Sequence, residues 1–134
     1  MREPLSVLVP AKNEVRNLRA CLESARWADE VVVVDSGSRD GSLEIARAIA
    51  DRVLEHEYVN SAAQKNWALP QLVHRWVLIV DADERVTPAL RAEIERVLAD
   101  PARADGYWIH RDNHFLGKRI RGAGWQRDKV LRLF

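Results

Sequence analysis

Apolar residues are distributed along this chain in two distinct patterns. In the first they are consecutive: Leu5 to Val9, broken only by Ser6, then Val31 to Val34, then Trp76 to Val80. Short unbroken runs rich in β-branched residues predict strands covered on both faces, the condition of a parallel sheet. In the second pattern they recur every three or four residues. Leu18, Leu22 and Ala25 form one stripe, Leu43, Ala46, Ile49 and Ala50 another, and Leu90, Ile94, Val97 and Leu98 a third. Each stripe predicts a helix with one buried side.

Punctuation sets the boundaries. Pro10 is expected to stop the first strand, and Asn13 to cap a first helix that runs to Trp27. Thr87 is expected to cap the helix of the third stripe, with Pro88 at its first position, where a fixed φ and a missing N–H do no harm. Arg52 to Leu54 reads as a weak third strand, and Ser61 to Leu69 as a helix that Pro70 helps to end. Beyond Pro101 the alternation in GYWIHRDNHF predicts strands with a more exposed face. Strands and helices thus alternate through most of the chain. The fold class is α/β, a three-layer α/β/α domain around a mainly parallel sheet.

Length and charge narrow the partners. At 134 residues the chain is a single domain, 1–134, and its 47% apolar and 31% charged residues are ordinary for a globular protein. A net charge of +1 argues against a polyanion binder, so no nucleic acid is expected as a partner. The single cysteine, Cys21, excludes an internal disulfide framework and a Cys-based zinc site, and its place in the first stripe makes it a packing residue. No apolar run approaches the ~20 residues that span a bilayer. Leu5 to Pro10 is too short for a signal h-region, so a cytoplasmic location is expected. Charge is unevenly placed, however: residues 106–134 hold seven basic against two acidic residues, a net of +5. Such a segment is either a solvated basic face or an attraction for an anionic surface, such as a membrane leaflet or a phosphorylated acceptor.

Candidate chemistry gathers at strand ends, where open parallel sheets bind ligands. The first strand runs into Ala11-Lys12-Asn13-Glu14, the second ends at Asp35, and the fourth at Asp81-Ala82-Asp83. The turn after Asp35 reads Asp-Ser-Gly, the tripeptide of aspartic proteases. Those enzymes need β lobes that bring two such turns together, whereas here a helical stripe follows the one turn. Asp35 is therefore either a carboxylate able to accept the N3–H of a uracil or a turn former bonding its own loop. Asp81 and Asp83 lie two residues apart just past a strand. One can reach a sugar or ribose hydroxyl while the other binds Mg²⁺ or Mn²⁺, ions that take oxygen ligands and share them with phosphate. Equally, acids near a helix start favour the dipole without any ligand. Haloacid-dehalogenase-type phosphatases also use Asp-X-Asp, but with Thr or Val where this chain has Arg85, and on the first strand. Gln64-Lys65-Asn66 brings a cation toward the same edge or is a solvated helix face. Trp27, Trp67 and Trp76 are expected in the core, while Trp108 and Trp125 are candidates to platform a sugar.

The blocks VLVPAKNE, VVVVDSGSRDGS, QKNWAL and IVDADERV, in that order and spacing, resemble glycosyltransferase family 2, inverting enzymes of the GT-A (Rossmann-like) fold. The stretch YWIHRDNHFLGKRIRGAGWQRDKVLRLF is similar to the subgroup of lipopolysaccharide-core β-glucosyltransferases. The resemblance implies a metal-dependent transfer of a hexose, glucose in that subgroup, from a UDP-sugar to a saccharide or glycolipid acceptor such as lipopolysaccharide core. It implies nucleotide-sugar contacts at Pro10, Ala11, Glu14, Asp35, Lys65, Asn66, Asp81, Ala82 and Asp83. The divalent cation, Mg²⁺ or Mn²⁺, falls to Asp83 with Asp81, and Asp35 matches the uracil-binding acid. His110, Arg111, Asn113, His114 and Trp125 would lie toward the acceptor.

Family members continue past the point where this chain stops, and their catalytic base is an acid in that later part. Inversion needs a carboxylate to deprotonate the attacking hydroxyl. None of Glu84, Glu93, Glu95, Asp100, Asp105, Asp112 and Asp128 stands in a context like the family's base. The expectation is an incomplete fold: residues 1–100 as the nucleotide-sugar-binding part and 101–134 as the start of the acceptor side. A non-catalytic fragment that binds a nucleotide sugar or a partner is the alternative. Val130 to Phe134 is expected to form an exposed apolar edge, open to a homo-oligomer or a C-terminal partner. A sugar nucleotidyltransferase is disfavoured, because VPAKNE lacks the glycine-rich loop of those enzymes. The basic segment suggests a peripheral position on the inner membrane face.

Overall fold

Four parallel strands form the centre of one sheet: β1 (Leu5–Ala11), β2 (Glu30–Asp35), β3 (Arg52–Glu55) and β4 (Trp76–Ile79). The structure is a computed structural model that describes residues 2–101, 103, 105–110, 116–119 and 129–134, with the backbone alone at 108–110, 116–119 and 129–132. Past β4 the sheet continues through β5 (Tyr107–His110), β6 (Leu116–Arg119) and β7 (Lys129–Leu133), each antiparallel to its neighbours. The strand order is β3-β2-β1-β4-β7-β5-β6.

Successive strand residues face opposite sides, and here both sides are covered. Val31 and Val33 pack with α1 (Leu18–Ala25), α2 (Ser42–Ile49) and α4 (Pro88–Ala99), whose buried residues include Leu22, Ala46 and Ile94. Val32 and Val34 pack on the other face with Ala68 of α3 (Ser61–Ala68) and with Leu69 and Leu72 around the 3-10 turn Leu69–Gln71. All four valines have no exposed surface. Burying each is worth about 1.5–3 kcal/mol relative to leaving it in water. The three-layer α/β arrangement expected from the runs and stripes is what forms.

Several boundaries differ from expectation for local reasons. Pro10 does not end β1, which continues to Ala11. The Leu8 carbonyl accepts the Val80 N–H on the β4 side, and Pro10 points to that same side two residues later, where β4 has ended. Its missing N–H therefore costs no ladder bond. Asn13 is not a helix cap: α1 starts only at Leu18, and Asn13 adopts a left-handed φ of 52°. Helix α1 ends at Ala25, two residues before Trp27, whose indole N–H donates to the Ser24 carbonyl. Thr87 behaves as expected, its Oγ1 accepting the Leu90 N–H at 3.1 Å with Pro88 in first place. Val130 to Phe134 is not an exposed edge. Strand β7 is inserted between β4 and β5, Leu133 is fully buried, and Phe134 exchanges both backbone bonds with Val77. An apolar β4 needs a partner on its second side, and β7 supplies it, so the described run lies inside the sheet and not at its rim.

Acids tie down the end of the sheet where the parallel strands begin. Glu30, 6% exposed, accepts from the Ser6 hydroxyl at 2.7 Å and the Val73 N–H at 3.0 Å, and pairs with Arg52 at 2.9 Å. Burial alone would raise its carboxyl, but the Val73, Ser6 and Arg52 donors outweigh burial and hold it below the ordinary range. Asp29 accepts from the Leu5 N–H and Asp51 from the Val31 N–H, so each fixes the start of a strand. This end is a closed structural network.

Candidate functional site

The opposite end, where the parallel strands finish, is open. A cleft of about 370 Å³ lies there. Pro10, Ala11, Lys12 and Glu14 line it from the loop after β1, and Asp81, Ala82 and Asp83 from the loop after β4. Ser36, Tyr58 and Gln64 complete the wall. Ligand sites of open α/β sheets occur at this edge.

The loop after β1 is shaped by the loop after β2. Three consecutive amides of the first are held by side chains of the second: Asn13 N–H by Ser38 Oγ at 2.9 Å, Glu14 N–H by Ser42 Oγ at 2.9 Å, and Val15 N–H by Asp40 Oδ2 at 3.1 Å. In return the Arg39 N–H donates to Asn13 Oδ1 at 2.8 Å. Asp40 also accepts the Ser42 hydroxyl at 2.6 Å. That bond above all, helped by the Ser42 and Val15 N–H groups, keeps its carboxyl below the ordinary range. Gly37 and Gly41, with φ of 87° and 95°, supply the left-handed turns that let the second loop fold over the first.

Asp35 lies at the root of that turn. It is 2% exposed and does not line the cleft. Its Oδ2 accepts the Gly37 and Ser38 N–H groups at 3.0 and 2.9 Å, and its Oδ1 the Ser38 hydroxyl at 2.5 Å. The next residue, Ser36, does reach the cleft, where its hydroxyl accepts from the Gln64 amide.

The acidic loop after β4 is braced from behind. The Asp81 N–H donates to Glu84 Oε1 at 2.8 Å and the Glu84 N–H returns to the Asp81 carbonyl at 2.9 Å. That carbonyl also accepts from the Cys21 thiol, with Sγ at 3.5 Å, while the Val86 N–H donates to Ser24 Oγ at 2.9 Å. Burial, reinforced by the negative Glu84, pushes the Cys21 thiol up to about 12, so it stays protonated and can donate. Asp83 is exposed and Asp81 half-buried, both on the cleft.

Six of the residues expected at a nucleotide-sugar site are brought together: Pro10, Ala11, Glu14, Asp81, Ala82 and Asp83. Lys65 and Asn66 sit on α3 but are not among the lining residues, whereas Gln64 is buried toward the cleft. Helical rotation decides this: Asn60 caps α3 by accepting the Ala63 N–H, and that start fixes which of three consecutive residues faces the sheet edge. Lys12 was named only as part of the strand-end loop, with no role, and Tyr58 was not singled out by sequence, although it is an aromatic in a polar connection. The loop bearing it is anchored by His56, stacked on Trp67 at 4.0 Å between ring centroids. Of the acceptor-side residues, Arg111, Asn113, His114 and Trp125 lie outside the described residues, and for His110 only the backbone, at the end of β5, is described.

Among the described residues no group of three or more His, Cys, Asp or Glu is assembled that could hold a metal by itself. Two carboxylates on a cleft fit a divalent ion that completes its shell with phosphate oxygens and water, and do not fit a closed structural zinc site. No described helix is long and apolar enough to cross a membrane.

The architecture and the open strand edge are those of a nucleotide-sugar transferase of GT-A type. The chain belongs to glycosyl transferase family 2, whose model matches residues 6–131. It is 34% identical to the lipopolysaccharide core biosynthesis glycosyltransferase LpsC of Rhizobium meliloti, over 97% of this chain and 50% of LpsC. Among solved structures it resembles the mannosyltransferase PcManGT of Pyrobaculum calidifontis, in complex with GDP-Man and Mn²⁺, at 33% identity and a TM-score of 0.62, covering 75% of this chain and 34% of that one. It also resembles S. aureus TarS 1–349 at 28% identity and a TM-score of 0.59, covering 70% and 32%. The chain thus spans about half the length of LpsC and about a third of these two structures.

Proposed function

We propose that this chain forms the donor-binding part of a glycosyltransferase that moves a hexosyl group, glucosyl in our reading, from a UDP-sugar to a saccharide such as lipopolysaccharide core. The transfer is metal-dependent and inverts the anomeric carbon. The observation that carries this reading is the meeting of Lys12 and Glu14 with Asp81 and Asp83 on one cleft at the carboxyl edge of β1 and β4.

Each group has a part suited to its chemistry. Asp83, exposed on the cleft, is the carboxylate to hold a divalent cation, with Asp81 beside it toward the donor ribose or sugar. A bound Mg²⁺ or Mn²⁺ supplies stabilisation of the negative charge on a departing diphosphate. Lys12 lines the same cleft, and its ammonium is the group to attract that diphosphate. Uridine selectivity is assigned to Asp35, at the tip of β2 next to Ser36. The family, the name of LpsC and the GDP-Man and Mn²⁺ bound to PcManGT support this class of donor and cofactor. The basic segment 106–134 supports work at an anionic membrane surface on the cytoplasmic side. Vesicle binding that ignored both anionic lipid and salt would remove that last assignment.

Calorimetric titration of UDP into the chain tests the site, run with Mn²⁺, then with EDTA, then on Asp83→Ala. Metal-dependent binding that disappears in the variant is expected. Binding indifferent to both EDTA and Asp83→Ala would overturn the reading.

A further inference from the structure

Helix α1 reaches both walls of the cleft. At its start the Glu14 carbonyl accepts the Asn17 and Leu18 N–H groups, and Glu14 lines the cleft from the first loop. Seven residues on, Cys21 donates its thiol proton to the Asp81 carbonyl, and one turn later Ser24 Oγ accepts the Val86 N–H. Ser24 in turn donates to the Cys21 carbonyl at 2.7 Å, so the two contacts are joined to each other as well as to the helix. The acidic loop is therefore gripped at both ends, Asp81 and Val86, by one face of α1.

The grip on Asp81 is complete on its backbone. Its N–H is taken by Glu84 Oε1, and its carbonyl uses one lone pair for the Glu84 N–H and the other for Cys21. A carbonyl has two acceptor sites, and both are spent. Cys21 itself has no exposed surface and could be a plain apolar residue if packing were its whole task. We propose that Cys21 is a positioning residue: its thiol, seconded by Ser24, sets the orientation in which Asp81 and Asp83 meet a divalent cation. This rests on the reading of the acidic loop as the metal and diphosphate site. Groups that orient metal ligands from behind are commonly worth ~10–100-fold in metal affinity.

The test compares wild-type protein with Cys21→Ala, Cys21→Ser and Ser24→Ala. UDP binding is followed against Mn²⁺ concentration, amide hydrogen exchange is followed at Asp81 and Glu84, and a thermal melt reports folding. In Cys21→Ala the Mn²⁺ concentration at half-maximal binding is expected to rise about tenfold, with UDP affinity at saturating Mn²⁺ little changed. Exchange at the Asp81 and Glu84 amides should quicken while that of Val7 and Leu8 in the core does not. Cys21→Ser, which keeps a donor, should recover most of the Mn²⁺ affinity, and Ser24→Ala should reproduce part of the loss. A folded Cys21→Ala with an unchanged Mn²⁺ midpoint overturns the positioning role and leaves the site reading intact. A Cys21→Ser no better than Cys21→Ala does the same. Wild-type protein that binds UDP without regard to Mn²⁺ overturns the site reading, and the role of Cys21 falls with it.

Discussion

Asn13 and Ser38 clasp the loop after β1 to the loop after β2. The Asn13 N–H donates to Ser38 Oγ at 2.9 Å, and the Asn13 side chain accepts from the Arg39 N–H next door. Asn13 holds a left-handed φ of 52°, the one non-glycine residue with positive φ among those described. Most L-residues avoid that region at a cost of about 1–2 kcal/mol, and Asn tolerates it best among them. Ser38, Asp40 and Ser42 of DSGSRDGS act on the loop after β1, and through it on Lys12 and Glu14.

From that clasp, Asn13→Ala should lower stability by about 1–2 kcal/mol, combining backbone cost with the loss of an acceptor for Arg39. It should also weaken UDP binding. Asn13→Gly, which accepts the left-handed turn but lacks the side-chain bond, should fall between wild type and Ala. Urea unfolding with parallel UDP titration checks both. An Asn13→Ala protein as stable as wild type would mean the loop is held by its other amides alone.

At the closed end of the sheet the prediction concerns pH. The folded-state carboxyl of Glu30 titrates below its ordinary value of 4.5, because Val73, Ser6 and Arg52 together outweigh burial. A group with a depressed folded pKa contributes stability that is present above the unfolded value and is lost as pH falls through the folded one. Stability should therefore decline below about pH 4.5. Glu30→Gln should be less stable than wild type at pH 7 by about 1–3 kcal/mol, since buried donors lose their charged acceptor. That gap should close toward low pH, where the wild-type carboxyl is itself protonated. A gap that stayed constant across the acid range would remove Glu30 from the ionic account.

Much of the fold was legible because its signals are redundant. Val31 to Val34 and Trp76 to Val80 are apolar on both faces, and Thr87-Pro88 is a cap and a start in one dipeptide. What misled were residues whose role depends on a neighbour distant in sequence. Asn13 reads as a cap until Ser38 and Arg39 are beside it, and Pro10 reads as a stop until β4 is seen to end first. Val130 to Phe134 reads as an edge until β5 closes over it. The lining of the cleft was legible to a similar depth. Strand tips gave Glu14, Asp81 and Asp83, since topology alone sends strand ends to one side. Acids at the closed end, Asp29, Glu30 and Asp51, are similar in type, and their place at strand starts sets them apart. Lys12, Tyr58 and Gln64 depend on loop path and helix rotation, which periodicity does not resolve.

Asp35 offers a test in which turn and base separate. Asparagine can keep the turn, its Oδ1 accepting the Gly37 and Ser38 N–H groups and its Nδ2 donating to the Ser38 hydroxyl. It removes the charge and puts a donor in place of one acceptor. If uracil is read here through its N3–H, Asp35→Asn should keep its melting temperature, weaken UDP about tenfold, and shift the UDP-to-CDP preference toward CDP. An unchanged ratio in a folded variant would leave the carboxylate as a turn former only.

Tyr58 supplies the last expectation. Its ring is 50% exposed, it lines the cleft, and packing does not account for an aromatic there. The loop that carries it is fixed at its root by the His56–Trp67 stack and by the His56 N–H bonded to the Asp35 carbonyl, and Tyr58 shares the cleft wall with Ser36 and Gln64. A nucleobase is flat and apolar on its faces, and stacking on an aromatic ring is worth about 1–3 kcal/mol per base. Tyr58→Ala should weaken UDP about fivefold to a hundredfold, while stability moves by less than about 0.5 kcal/mol, as for other surface changes. Tyr58→Phe keeps the ring and should bind UDP nearly as well as wild type. Equal loss in the Phe and Ala variants would point instead to the phenolic hydroxyl, and no loss in either would take Tyr58 out of the site.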